Sequence, residues 1–178
     1  MRIVFVLPLL VLVCVLPARA QSTGTANIAL TGQVQPGTCT IGAVSMTMPT
    51  LGANVFNQSA TWSGGIAESY TPLDITLTAC AGVTGATFVF GAASDADTTN
   101  AEYFKNKATG AAPHTAIRLR DTRTCSSGTS VKPGDSLSRA VTGTSLSLPL
   151  CAIYYKLPGG IVTRGGLSTH FTVTVTYR

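Results

Sequence analysis

The 178-residue sequence predicts an all-β fold, an antiparallel sandwich. Three observations predict it. Apolar residues recur at every second position in most ordered stretches, helical periodicity is hard to find, and the alternating runs are separated by turn-rich segments. About seven short strands joined by such turns suit two packed sheets, not a helical bundle or an alternating α/β fold.

The first 20 residues have the form of a secretion signal. Arg2 supplies the positive start, Ile3 to Pro17 is an almost unbroken apolar run, and Ala18-Arg19-Ala20 offers a small-x-small cleavage site. The run is too short to cross a bilayer comfortably. Val13 is too large for a lipoprotein cleavage ahead of Cys14. Removing 20 of the 178 residues leaves an expected mature chain of 158, starting at Gln21. Arg2 and Arg19 leave with the signal, so 10 Lys+Arg face 7 Asp+Glu, a net charge of +3. A charge so mild and scattered argues against nucleic acid as a partner and against an anionic membrane surface. The length allows one domain with a normal core. The expected division is a signal peptide at 1–20, an N-terminal extension at 21–34 and the main domain at 35–178.

In the extension, Ala26, Ile28, Leu30, Gly32 and Val34 alternate with polar or small residues. Leu73, Ile75 and Leu77 alternate with Asp74, Thr76 and Thr78. Phe88 and Phe90 fall in a short strand, Ala86–Gly91, and Ile117 and Leu119 alternate with Arg118 and Arg120. Leu146, Leu148 and Leu150 follow the same rule. Cys151 to Lys156 is mostly apolar, as in a strand buried on both faces. In the last strand Phe171, Val173, Val175 and Tyr177 share one face, and Thr172, Thr174 and Thr176 share the other. Gly52–Gly65, Ser94–Asn100, Thr122–Asp135 and Leu157–Gly166 are turn-rich.

Four cysteines remain after the signal: Cys39, Cys80, Cys125 and Cys151. An even number behind a secretion signal points to disulfides formed in an oxidising compartment. Four allow three connectivities. Cys39–Cys80 with Cys125–Cys151 is the favoured one, and each bridge would contribute ~3–4 kcal/mol by constraining the unfolded chain. There is no CxxC pair, and neither His114 nor His170 sits at ligand spacing from a cysteine, so no metal or other cofactor is expected. No GxSxG, HExxH or phosphate-cradling glycine loop is present, so no enzyme is expected.

The remaining chemistry-bearing residues have plain readings. His170, beside Thr169, reads as a solvated strand-end histidine. Asp74 alternates outward on its strand. Asp95 and Asp97 sit in a turn that lacks the other oxygen ligands and the glycine of a calcium loop. Trp62 reads as a rim aromatic over the core, with sugar stacking as the alternative. Arg118, Arg120 and Arg123 read as a solvated basic face, with a subunit-contact or receptor patch as the alternative.

The two ends carry the functional signal. The extension alternates but has no hairpin turn tying it to a partner, and Pro36-Gly37 separates it from Cys39. Its apolar face has to be buried somewhere. It is either an edge strand of its own sandwich or a strand given to a neighbour. The last strand runs to the end with one residue after Tyr177, and nothing is expected beyond it to pair with it. Head-to-tail donation accounts for both a spare strand in front and a missing strand behind. Repeated, it builds a filament, because a heterologous contact need not close.

With these ends in view, the mature chain resembles the chaperone–usher fimbrial subunits of the type 1 pilin kind over its whole length. Ile28-Ala-Leu-Thr-Gly-Gln-Val34 followed by Cys39 is similar to that family's donor strand and first cysteine. Pro72-Leu-Asp-Ile-Thr-Leu-Thr-Ala-Cys80 is similar to its second-cysteine strand. Glu102-Tyr-Phe-Lys-Asn106 and Thr115-Ala-Ile-Arg-Leu-Arg-Asp121 resemble its central part. The C-terminal end is the most diagnostic: a penultimate aromatic, Tyr177, alternating Val175, Val173 and Phe171 before it, and Gly165 fourteenth from the end.

The resemblance implies an incomplete immunoglobulin-like antiparallel β-sandwich, lacking its last strand and completed by donor-strand exchange. It implies a structural or adaptor subunit of an adhesive pilus, secreted through the periplasm to the cell surface and without catalysis. The implied partners are a periplasmic pilus chaperone that lends a strand, an outer-membrane usher, neighbouring pilin subunits and a host receptor. Ala26, Ile28, Leu30 and Gly32 would be the pocket-facing donor residues. Gly165, Phe171, Val173, Val175 and Tyr177 would mark the acceptor groove that meets the chaperone. The family's simplest members carry one disulfide, so Cys125 and Cys151 depart from it. They are a staple across neighbouring strands, or free thiols or an intermolecular bridge. A fimbrial tip adhesin would need a separate lectin domain, for which the mature length leaves no room. A secreted sandwich hydrolase, inhibitor or binding protein would leave the strand ends unexplained.

Overall fold

The computed structural model describes residues 31, 33, 37–58 and 65–178. The signal, the donor positions Ala26, Ile28, Leu30 and Gly32, and Trp62 lie outside the described residues. The chain divides into two units after Val34, and every element below belongs to the second, Gln35–Arg178.

Among the described residues nine strands form two antiparallel sheets. The larger runs β1 (Thr38–Ile41), β2 (Thr71–Ala81), β8 (Leu146–Lys156), β5 (Thr115–Arg120), β4 (Phe104–Lys105), with β6 (Ser130–Val131) also on β5. The smaller runs β7 (Ser136–Ala140), β3 (Gly85–Phe90), β9 (Val173–Tyr177). The alternating segments read from the sequence are β2, β3, β5, β8 and β9. Two runs read separately, Leu146–Leu150 and Cys151–Lys156, are one strand, β8. The stretch Gly52–Gly65, read as turns, contains a short helix, α1 (Ala53–Asn57).

Register places apolar residues opposite one another on the inner faces. Leu73, Ile75 and Leu77 of β2 face Leu150, Leu148 and Leu146 of β8. Phe88 and Phe90 of β3 face Val175 and Val173 of β9. Each fully buried Leu, Ile or Phe here contributes ~1.5–3 kcal/mol relative to exposure. The alternation of β2 changes phase near its end. Strict alternation after Leu77 would turn Cys80 outward, yet Cys80 is buried. Ala79 adopts a φ of 50°, and the β1–β2 register slips between Thr38 and Thr40. This bulge turns Cys80 inward, where it bonds Cys39.

From Leu150 to Lys156 β8 is buried on both faces, as the apolar run Cys151–Lys156 predicts. Its inner face supplies Leu148, Leu150, Ala152 and Tyr154 to the core. On its outer face Cys151 and Ile153 pack with Cys125 and Tyr70, and Tyr155 stacks on Tyr103 with ring centroids 4.1 Å apart. Cys125 pairs with Cys151, which excludes the free-thiol and intermolecular readings. The staple differs from the expected one in its anchor. Cys125 lies in the loop between β5 and β6, so the bridge pins a loop over a sheet and does not join neighbouring strands.

Candidate functional site

One edge of the sandwich carries a groove of about 830 Å³. Its walls come from chain segments at the margins of the two sheets. On one side runs β1's end and its continuation, Ile41 to Met48. On the other runs Leu167 to Val173, leading into β9. Between them, Ile75, Phe90, Ile117, Leu150 and Tyr154 line the groove from both sheets. The cleft is therefore a continuation of the hydrophobic core. Ile41 and Val44 on its wall are two of the three large hydrophobics that stand exposed among the described residues. Beyond one end of the groove the walls meet, where the Tyr177 hydroxyl donates to the Cys39 carbonyl at 3.3 Å.

β9 pairs with β3 along one edge. Among the described residues, no strand pairs with its other edge. Unpaired backbone groups beside an apolar cleft are costly in water. Such an arrangement could accept one extended chain, whose backbone would continue the ladder while alternate side chains fill the cleft.

The residues singled out from the sequence fall as follows. Phe171 and Val173 line the groove. Val175 and Tyr177 lie on the same face of β9 and pack against the core. Phe171 precedes β9 instead of lying in it, and its ring stacks on Phe104 at 4.2 Å. Gly165 lies against the loop at Ala111 and Ala112. A Cβ there would sit 2.4 Å from the Ala112 amide nitrogen. Gly165→Ala is thus expected to destabilise the fold by ~1–3 kcal/mol, read as a lowered urea midpoint. A neutral outcome would mean that the Ala111–Ala112 loop gives way freely.

The arginines are not a free stripe. Arg118 donates to the Ser130 hydroxyl at 2.9 Å and lies 6.0 Å from the Tyr103 ring centroid. Arg120 donates to the Ser127 carbonyl at 3.2 Å, and Arg123 pairs with Asp74. Asp97 accepts from the backbone N–H groups of Thr99 and Asn100, bracing its turn. His114 and His170 are exposed.

Three carboxyls titrate below their ordinary range. The Lys107 ammonium, and after it the Ala92 N–H, hold Asp95 below 3.8. Arg123 lowers Asp74 and Lys132 lowers Glu102. A carboxyl lowered by folding stabilises the fold above its unfolded pKa and ceases to as pH falls through the lowered value. The melting temperature is expected to hold down to pH about 5 and to drop below about 4. Asp95→Asn should flatten part of that drop. A profile unchanged by the substitution would mean the Lys107–Asp95 pair adds nothing.

A family model of fimbrial proteins matches residues 28–178. The chain belongs to the fimbrial protein family. Two solved pilus structures share its fold. A chaperone–usher pilus structure is 18% identical, covering 90% of this chain and 100% of that one, with a TM-score of 0.60. The P pilus rod subunit PapA is 19% identical, covering 79% of this chain and 99% of its own, also with a TM-score of 0.60. A Burkholderia pseudomallei antigen and type I fimbria protein is 26% identical, covering 77% of this chain and 83% of its own, with a TM-score of 0.49. No curated protein matches the sequence. This fimbrial protein is a pilus subunit of the cell surface, assembled with other subunits into a fibre.

Sequence reading passed over two parts of this subunit's site. The first groove wall, Val44-Ser45-Met46-Thr47-Met48, alternates with period two and could have been found by that signal. Asn106 and Lys107 carried no such signal. They hold backbone groups about sixty positions downstream.

Proposed function

We propose that this subunit polymerises by donor-strand exchange, accepting into the groove the N-terminal extension of the next copy. The observation that carries the reading is the groove itself, lined by core residues of both sheets beside an edge of β9 with which no described strand pairs. The extension, residues 21–34, is the donor, with Ala26, Ile28, Leu30 and Gly32 directed into the cleft. Residues 35–178 form the accepting domain. Before assembly a periplasmic chaperone lends a strand to the same groove, and the outer-membrane usher is where the extension replaces it. The role is structural or adaptor-like within an adhesive pilus, and a host receptor is a further partner of the fibre.

The test is mature protein lacking residues 21–34, with and without a synthetic peptide of those residues. The truncated protein is expected to aggregate or melt low, and the peptide to raise its melting temperature sharply in a tight complex. A stable monomer that ignores the peptide would mean that the sandwich is complete without a donated strand.

A further inference from the structure

We propose that Asn106 and Lys107 are positioning residues that lengthen the docking edge from β9 back to Leu167. This rests on the strand-accepting reading above. In an extended chain, the N–H and C=O of one residue point to one side and those of the next to the other. Along β9 the even-numbered residues turn to β3. Arg178 exchanges hydrogen bonds with Gly85, and the Thr172 carbonyl accepts from the Gly91 N–H at 2.8 Å.

Upstream of β9 the same parity continues, but β3 has ended. Asn106 and Lys107, with the 110–112 loop, take its place. The Gly166 carbonyl accepts from the Asn106 amide and from the Ala112 N–H, each at 2.8 Å. The Ser168 N–H donates to Asn106 Oδ1 at 3.1 Å, and its carbonyl accepts from the Lys107 N–H at 2.7 Å. The His170 carbonyl accepts from Lys107 Nζ at 2.5 Å, and Asp95 holds that ammonium at 2.6 Å. Asn106 is itself fixed, donating to Thr115 Oγ1 at 2.9 Å and accepting from the Ala108 N–H at 3.1 Å.

With the even residues held, the backbone groups of Leu167, Thr169 and Phe171 face the same way as those of Val173, Val175 and Tyr177. All but the last two line the groove. The edge offered to a partner is then about 36 Å long, against about 16 Å for β9 alone, at ~3.3 Å per residue. The occupant is an extended, uncharged strand, and residues 21–34 of a second copy fit. They contain no Asp, Glu, Lys or Arg, and neither do the residues lining the groove. A charged strand would be desolvated there without a partner.

Residue-resolved amide exchange on the mature chain, residues 21–178, in its assembled fibre tests this. The odd-numbered amides report pairing at the outer edge. Leu167, Thr169 and Phe171 are expected to exchange within tenfold of Val173 and Val175. Asn106→Ala should speed Leu167 and Thr169 at least tenfold, and Lys107→Met chiefly Phe171, with Val173 and Val175 unchanged in both. Wild-type fibres with Val173 and Val175 slow but residues 167–171 fast would overturn the lengthened edge without needing any variant. So would variants that leave the pattern intact. If Val173 and Val175 are also fast in the fibre, strand acceptance itself fails.

Discussion

Phe90→Ala is expected to cost ~3–5 kcal/mol of unfolding free energy, among the largest losses available to one substitution. Phe90 ends β3 with no exposed surface, faces Val173 across the ladder and lines the groove. Both of its backbone groups are held by one turn. Its N–H donates to the Asp135 carbonyl at 3.0 Å, and its carbonyl accepts from the Gly134 N–H at 2.7 Å. The ring is therefore held where two sheets and the cleft meet, and its removal leaves a cavity that rigid neighbours cannot close. Phe90→Leu should cost much less. Urea midpoints of the three proteins measure the differences. A loss under about 1 kcal/mol for the alanine variant would show that this region collapses freely and that the groove lining is soft.

The second expected result separates the two disulfides. Their sequence separations of 41 and 26 residues correspond to ~4 and ~3.5 kcal/mol of unfolded-chain constraint. Stability alone would hardly distinguish Cys39→Ser/Cys80→Ser from Cys125→Ser/Cys151→Ser. Strand capture should. β1 spans only four residues, and Cys39–Cys80 anchors the wall that continues to Met48. Cys125–Cys151 pins a loop on the far face of β8, away from the groove. Peptide 21–34 should bind the first double variant at least tenfold more weakly and the second about as well as the parent, each offered on a background without its own extension. Equal losses would mean that the groove wall does not depend on its nearest staple.

The strands that form the core were legible because burial on one face leaves a period of two, as in Leu73-Ile75-Leu77 and Phe171-Val173-Val175-Tyr177. β8 was legible for the opposite reason, since burial on both faces erases the alternation. The phase change at Ala79 was not, because a bulge depends on backbone geometry that composition does not record. The staple at Cys125 paired as expected, but its loop anchor depends on how β5 turns into β6. The groove's first wall alternates like a strand without forming one. Pairing with β2 ends at Ile41 and Leu77, so no ladder reaches Val44 or Met46. Asn106 could not be read because its partners are distant backbone groups, which carry no side-chain pattern.

The position of Cys39 also bears on how a fibre carries load. In a filament joined as proposed, tension on one subunit arrives through its extension and enters the folded domain at Thr38. One residue later it meets the covalent link to Cys80 in β2. The pull passes directly into a strand paired with the doubly buried β8, and the short β1 ladder is bypassed instead of being unzipped one hydrogen bond at a time. The donated strand, lying lengthwise in its groove, is then loaded in shear, with its contacts sharing the force. The weakest joint under traction is then the sliding of one subunit's strand out of the next, and the bodies of the subunits should stay folded.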